Sequence, residues 1–158
     1  MRPVTEADCE PTDTDRGETA FRRWKLGAEA GGQALGTSLY EVPPGRRSWP
    51  YHFHTANEEA LFVLSGSGIL RGSEADYALE PGTYAAFPAD ESGAHQVVND
   101  GDEPLRYLVV STMRDPDVTV YPDSGKVGVM AGAPPGGDRA ERVVSAFFRE
   151  ADAVGYWD

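Results

Sequence analysis

His52-Phe53-His54-Thr55-Ala56-Asn57-Glu58-Glu59-Ala60-Leu61-Phe62-Val63-Leu64-Ser65-Gly66 is the stretch on which the reading of this chain turns. Residues i and i+2 of an extended strand point to one face, so a strand through 52–54 sets two imidazoles side by side. Thr55 to Glu58 is polar and reads as a turn, after which Glu59 opens a strong apolar strand. Two neutral nitrogens and one anionic oxygen converging on a point make a site for a divalent metal. The chain has 3 histidines, and the third, His95, lies in a further β-like run over 94–99. A single histidine is ordinarily a hydrogen-bonded core or surface residue. Here every histidine falls in two short motifs, one of which carries an acid at ligand spacing.

Outward from that stretch the signals are almost all β. Short alternating or apolar runs at 37–42, 48–54, 59–64, 69–71, 74–79, 83–87, 105–112, 118–121 and 126–130 are separated by Gly, Pro and Asp turns. Many short strands with such punctuation predict an all-β sandwich or barrel rather than an α/β layer fold. Two segments depart from the pattern. Residues 1–19 mix charge, Pro and Thr without apolar periodicity and are expected to form a flexible acidic arm, with an edge strand at 21–26. Ala140, Val143, Val144, Phe147, Phe148 and Ala151 follow helical spacing behind Asp138, a candidate N-cap, so a short C-terminal helix is expected at about 139–151. The expected organisation is therefore an arm at 1–19, a β-domain at 20–131 and an extension at 132–158.

At 158 residues the length fits one domain with a working core. The formal net charge of −12 argues against phosphate backbones and anionic membranes as partners. The single cysteine, Cys9, has no intrachain partner, which fits a reducing compartment. With no long apolar run and an acidic N-terminus, a cytoplasmic protein is the expectation.

With both motifs on the page, the chain resembles the cupin superfamily, whose fold is a double-stranded β-helix, a small jelly-roll barrel. Its first motif runs Gly, His-x-His, Glu, Gly and corresponds here to Gly45, His52, His54, Glu59 and Gly66. Glu58 also fits a shorter His–Glu spacing, but only Glu59 leaves six residues before Gly66. The second motif corresponds to Gly82, Pro88, His95 and Asn99. Gly45 stands one residue further from His52 than the usual pattern, and the Pro88–His95 interval is two residues longer, with Gly93 displaced. Both changes fall in turns, and the resemblance covers about residues 36–113. It implies His52, His54, Glu59 and His95 as metal ligands, and a homodimer.

Such a centre would be octahedral with two positions open to water or a bidentate substrate. Fe or Mn suits its mixed N/O donors best, with Zn, Ni or Cu as alternatives. With the histidines engaged, acid–base chemistry needs another group: Glu58, Tyr107, Glu41, Tyr40 and Tyr51 are the candidates by type, and Tyr107 is the first to test. Each tyrosine has an ordinary packing role as its alternative, and alternation puts Tyr51 on the outer face. Arg46 and Arg47 follow a Pro-Gly turn, where they would attract an anionic substrate or simply be solvated. The functions that fit are a metal-dependent enzyme on a small polar molecule (isomerase, decarboxylase or dioxygenase type) or a non-catalytic protein that binds or senses a small sugar or organic acid. A module that uses metal only to stabilise an interaction is a third possibility.

Overall fold

The described residues form thirteen strands, β1 (Thr12–Arg16), β2 (Thr19–Trp24), β3 (Leu35–Val42), β4 (Phe53–His54), β5 (Glu59–Ser65), β6 (Gly68–Arg71), β7 (Asp76–Leu79), β8 (Tyr84–Phe87), β9 (Gln96–Val98), β10 (Leu105–Thr112), β11 (Asp117–Tyr121), β12 (Lys126–Ala131) and β13 (Val144–Arg149). One short helix, α1 (Leu26–Glu29), joins β2 to β3. The structure is a computed structural model, and it describes residues 2–158. A six-stranded sheet has the order β1-β2-β3-β10-β5-β8, a four-stranded sheet β13-β12-β11-β4, and a three-stranded sheet β7-β6-β9. Among the described residues no continuous ladder closes these sheets on one another.

Alternation decides which side chains go inside. On β5, Leu61 and Val63 are buried while Phe62 and Leu64 face out; on β10, Leu105 and Tyr107 are buried. These meet Tyr40 and Val42 of β3, Phe87 of β8, and Leu70, Leu79 and Val97 from the three-stranded sheet. The core therefore lies between two sheets, fed by both. Val42, Val63 and Leu105 are 0% exposed, and each contributes about 1.5–3 kcal/mol by leaving water. Gly66 turns the chain from β5 to β6 with φ +78°, and a side chain there would collide with the Pro104 carbonyl.

The ends differ from expectation. Residues 12–16 are not a loose arm but pair with β2 from Thr12↔Arg23 to Arg16↔Thr19 around Gly17. β2 is thereby an inner strand, not an edge. Cys9 is buried with Trp24 and Leu39 in a second apolar cluster on the outer face of the large sheet. At the other end the predicted helix at 139–151 is absent. Asp138 does cap, accepting from the Ala140 N–H at 2.9 Å, but only a single turn, Arg139–Glu141, follows. Val144–Arg149 then pairs antiparallel with β12. The sequence Val-Val-Ser-Ala-Phe-Phe is rich in β-branched and aromatic residues, and an available sheet edge outweighs its helical spacing. Phe62 remains 42% exposed, Leu64 44%, Phe147 56% and Phe148 55%, so the described chain does not cover them.

Candidate metal centre

Two backbone ladders bring the histidines together. His52 and His95 form an isolated antiparallel bridge, each N–H donating to the other's carbonyl at 3.2 and 2.9 Å. His54 on β4 lies opposite Thr119 on β11. The ring centroids of His52 and His54 are 5.1 Å apart, and those of His52 and His95 are 4.9 Å apart. Glu59 shares the inward parity of Leu61 and Val63, and its carboxylate lies 3.6 Å from His54 Nε2 and 3.7 Å from His95 Nε2. Ligand atoms of His52, His54 and Glu59 all fall within 4.8 Å of one another, a spacing at which they could hold one metal ion.

The second nitrogen of each ring is spoken for. Nδ1 of His52 lies 2.8 Å from the Pro50 carbonyl, Nδ1 of His95 lies 2.9 Å from the Gly93 carbonyl, and Nδ1 of His54 lies 2.6 Å from Asp117 Oδ2. All three partners accept, so each neutral ring carries its proton on Nδ1 and leaves the Nε2 lone pair free. Gly93 belongs to this arrangement, because a side chain there would collide with the Pro88 carbonyl. The lengthened loop before His95 thus ends in a tight turn that presents a carbonyl to the ring.

Electrostatics separates the three rings. Burial, then the neighbouring His95 and His54, pushes the His52 pKa well below the ordinary histidine value. Burial also lowers His95, although Glu59 opposes it. For His54 burial acts in the same direction, but the Asp117 hydrogen bond and the Glu59 charge outweigh it and raise the pKa. Asp117 is 1% exposed. Burial would raise its pKa, yet bonds to His54 and to the Ala56 N–H at 3.1 Å hold it below the usual carboxylate value. The Thr119 hydroxyl adds a contact of 3.3 Å.

Asp117 is one residue that sequence reasoning missed. Its signal was local: an acid starting the strand-like run Asp117-Val118-Thr119-Val120, on the same parity as Thr119. What the sequence does not carry is the pairing of that run with 53–54.

Of the other candidates, Tyr107 is buried and lines the cavity over the histidines, stacked on Tyr40 with centroids 5.3 Å apart. Burial pushes its pKa far up, against a side-chain hydrogen bond with Ser48. Tyr40 also lines the cavity and accepts a hydrogen bond from Trp49 Nε1 at 3.0 Å. Glu58 is exposed and outside the lining, because it sits one residue off the inward parity of Glu59. Glu41 faces Arg106 at 3.3 Å on the outer face. Tyr51 is likewise outside, donating to the Gly72 carbonyl at 3.3 Å under Arg71. Arg46 and Arg47 do not reach the cavity; they bind the Gly17 carbonyl and Glu18 of the N-terminal hairpin. Asn99 caps its turn, donating to the Val42 and Glu103 carbonyls at 2.8 and 2.9 Å. Tyr121, absent from the sequence candidates, stacks over His52 at 5.9 Å and lines the same cavity.

The cavity is about 1000 Å³. Its floor holds His52, His54, Glu59 and His95, and its rim includes residues from 132–142. No described helix is long and apolar enough to cross a membrane.

Comparison with known proteins agrees with this architecture. A structure from Acidithiobacillus ferrooxidans, provisionally named a sugar phosphate isomerase, is 28% identical with a TM-score of 0.79, covering 94% of this chain and 90% of that one. A sugar phosphate isomerase of the cupin superfamily from Silicibacter pomeroyi is 24% identical with a TM-score of 0.80, covering 96% and 95%. The polyketide cyclase RemF from Streptomyces resistomycificus is 26% identical with a TM-score of 0.60, covering 74% and 83%. No curated protein matches the chain. The family model described as the cupin domain matches residues 38–111. Residues 38–111 therefore form a cupin domain.

Proposed function

We propose that this chain is a metal-dependent enzyme that holds one divalent cation, Fe or Mn by donor preference, through His52, His54, His95 and Glu59, and isomerises a small polyhydroxy carbonyl compound. The observation that carries the reading is the fixed tautomer: three rings with Nδ1 tied to acceptors, their free Nε2 atoms grouped around one carboxylate. A bound divalent ion would supply Lewis-acid polarisation of a carbonyl oxygen and its neighbouring hydroxyl. Isomerisation shifts one hydrogen between adjacent carbons and needs no oxidant; in this tyrosine-lined cavity, a Glu59 oxygen not engaged by the metal would take that hydrogen as a proton from one carbon and return it to the next. Tyr107 keeps its proton, because burial makes its phenolate costly, and so serves as a hydrogen-bond donor to substrate oxygen. Tyr40 has the same role, since Trp49 already occupies its acceptor side. The likeness to the 28% identical protein named as an isomerase favours this reaction over decarboxylation or oxygenation.

In fold, the same proposal takes the three sheets as the double-stranded β-helix that the motifs imply. It takes the protein as a cytoplasmic homodimer whose contact covers outward residues such as Phe62 and Leu64. A monomer in sedimentation velocity would remove the dimer alone.

The test of the reaction is proton exchange. Metal-loaded protein incubated in D2O with a panel of aldoses and ketoses, with and without a terminal phosphate, should erase the NMR signal of the hydrogen beside the carbonyl. His54→Ala protein should not. A protein shown to carry one metal per chain that exchanges no member of the panel overturns the isomerase reading.

A further inference from the structure

The cavity has a basic rim that the metal centre leaves unused. Arg23 of β2, Lys25 just beyond it, and Arg139 and Arg142 from the segment before β13 all line it. The chain as a whole has 26 acidic against 14 basic side chains, so basic side chains gathered from both ends of the sequence at one opening stand against its overall charge. None of these cations pairs with a carboxylate among the described residues. Arg142 is held by neutral groups: its Nε and Nη2 donate to the carbonyls of Ala133 and Pro134 at 3.0 and 2.8 Å. Arg23 Nε donates to Ser38 Oγ at 3.0 Å, and its guanidinium lies over the Tyr40 ring at 5.4 Å. Its Nη2 faces Gly136, where an added Cβ would sit 3.3 Å away. Lys25 makes no hydrogen bond through its side chain among the described residues.

The charges act on one another. The pKa of Lys25 is lowered, by burial first and then by repulsion from Arg23 and Arg142, with Asp138 opposing. Asp138 is occupied as the cap of the turn at 139–141, and Glu141 is exposed on the rim. Structural roles explain part of this: Arg142 clamps the 133–134 turn and Arg23 ties Ser38. They do not explain Lys25, or like charges converging beside a cavity without an ion pair to Asp138 or Glu141, the acids that line it with them. Like charges brought together repel, and an anion between them removes that repulsion.

We propose that Arg23, Lys25 and Arg142 form an anion subsite at the cavity mouth, and that it takes the terminal phosphate, or an equivalent tetrahedral dianion, of the molecule whose carbonyl end reaches the histidine floor. This rests on the cavity being the substrate site, and it narrows the substrate class to phosphorylated polyhydroxy carbonyl compounds. Guanidinium groups held by carbonyls and a free ammonium suit such a group, the first by paired donation and the second as a point charge.

The probe is inorganic phosphate titrated calorimetrically into metal-loaded protein, with metal content measured on every sample. Lys25→Gln and Arg23→Gln should each weaken phosphate binding at least tenfold while leaving one metal per chain. His54→Ala should lose metal and keep phosphate binding within about threefold of the parent. Arg142→Gln risks unfolding the 133–134 turn, so the deciding variant is Lys25→Gln, whose parent side chain supports no hydrogen bond. Equal binding by parent and Lys25→Gln, or absence of binding by the parent, overturns the subsite. Loss of phosphate binding in His54→Ala also overturns it, because the anion would then sit on the metal. A parent that binds phosphate through Lys25 and Arg23 but carries no metal leaves the subsite standing and removes the metal-centre reading instead.

Discussion

Replacing Asp117 by Asn keeps the shape of a buried side chain and removes its charge. Asp117 Oδ2 lies 2.6 Å from His54 Nδ1, and Oδ1 accepts from the Ala56 N–H at 3.1 Å. Both oxygens face donors, whereas an amide offers one acceptor and one donor. One of the two bonds must therefore be lost, and an N–H is turned against an N–H. A hydrogen bond to a charged group contributes about 1.5–3 kcal/mol, so the variant should bind metal roughly 10- to 100-fold more weakly. The assay is competition for Mn(II) against a chelator of known affinity at pH 7.5, with Glu58→Gln as the exposed control.

A second readout separates orientation from general damage. Asp117 raises the His54 pKa in the metal-free protein, so protons compete with metal for Nε2 at a higher pH than usual. In Asp117→Asn the midpoint of metal loading should move to lower pH even as the affinity plateau at neutral pH falls. Affinity within twofold of the parent, or a midpoint that does not move, would refute the role given to Asp117.

Tyr107→Phe should leave metal content unchanged and lower kcat/KM for the exchange reaction at least tenfold; an unchanged kcat/KM removes Tyr107 from the chemistry. Leu105→Ala empties a site that is 0% exposed and should cost about 2–5 kcal/mol in urea unfolding, where less than 1 kcal/mol would contradict the packing described. Metal-free protein should lose thermal stability as the pH drops below about 6.5, the ordinary histidine value. His52 and His95 have lowered pKa values, so the unfolded chain takes up those protons first and acid favours it. His54 has a raised value and opposes them, its contribution being full below the unfolded pKa and lost as the pH rises through the folded one. A melting temperature that rises on acidification would mean His54 dominates and the other assignments are wrong.

The parts of this molecule that could be read from sequence are those written in local spacing. His52 and His54 share a face because they are two apart on a strand, and Glu59 faces them because it shares parity with Leu61 and Val63. Asn99 and Gly66 act through bonds and clashes within a few residues or at one chain crossing. What escaped depends on pairings between distant segments. Asp117 is recruited only because β11 lies beside β4, and the basic rim forms only because 139–142 returns over β2. The C-terminal segment shows the converse error: its apolar spacing suits a helix, but β12 offers an unpaired edge, and Val144–Arg149 takes it. The N-terminal run at 12–16 lacks apolar residues altogether and is a strand only through its hairpin with β2.

The central claim is that one divalent ion is held by His52, His54, His95 and Glu59. Crystals grown with Mn(II), with data collected near an anomalous peak, test it directly. The account predicts a single anomalous peak on the cavity floor, with the three Nε2 atoms and a Glu59 oxygen each at about 2.0–2.3 Å. A peak elsewhere, or no peak with the four side chains well ordered, would contradict it.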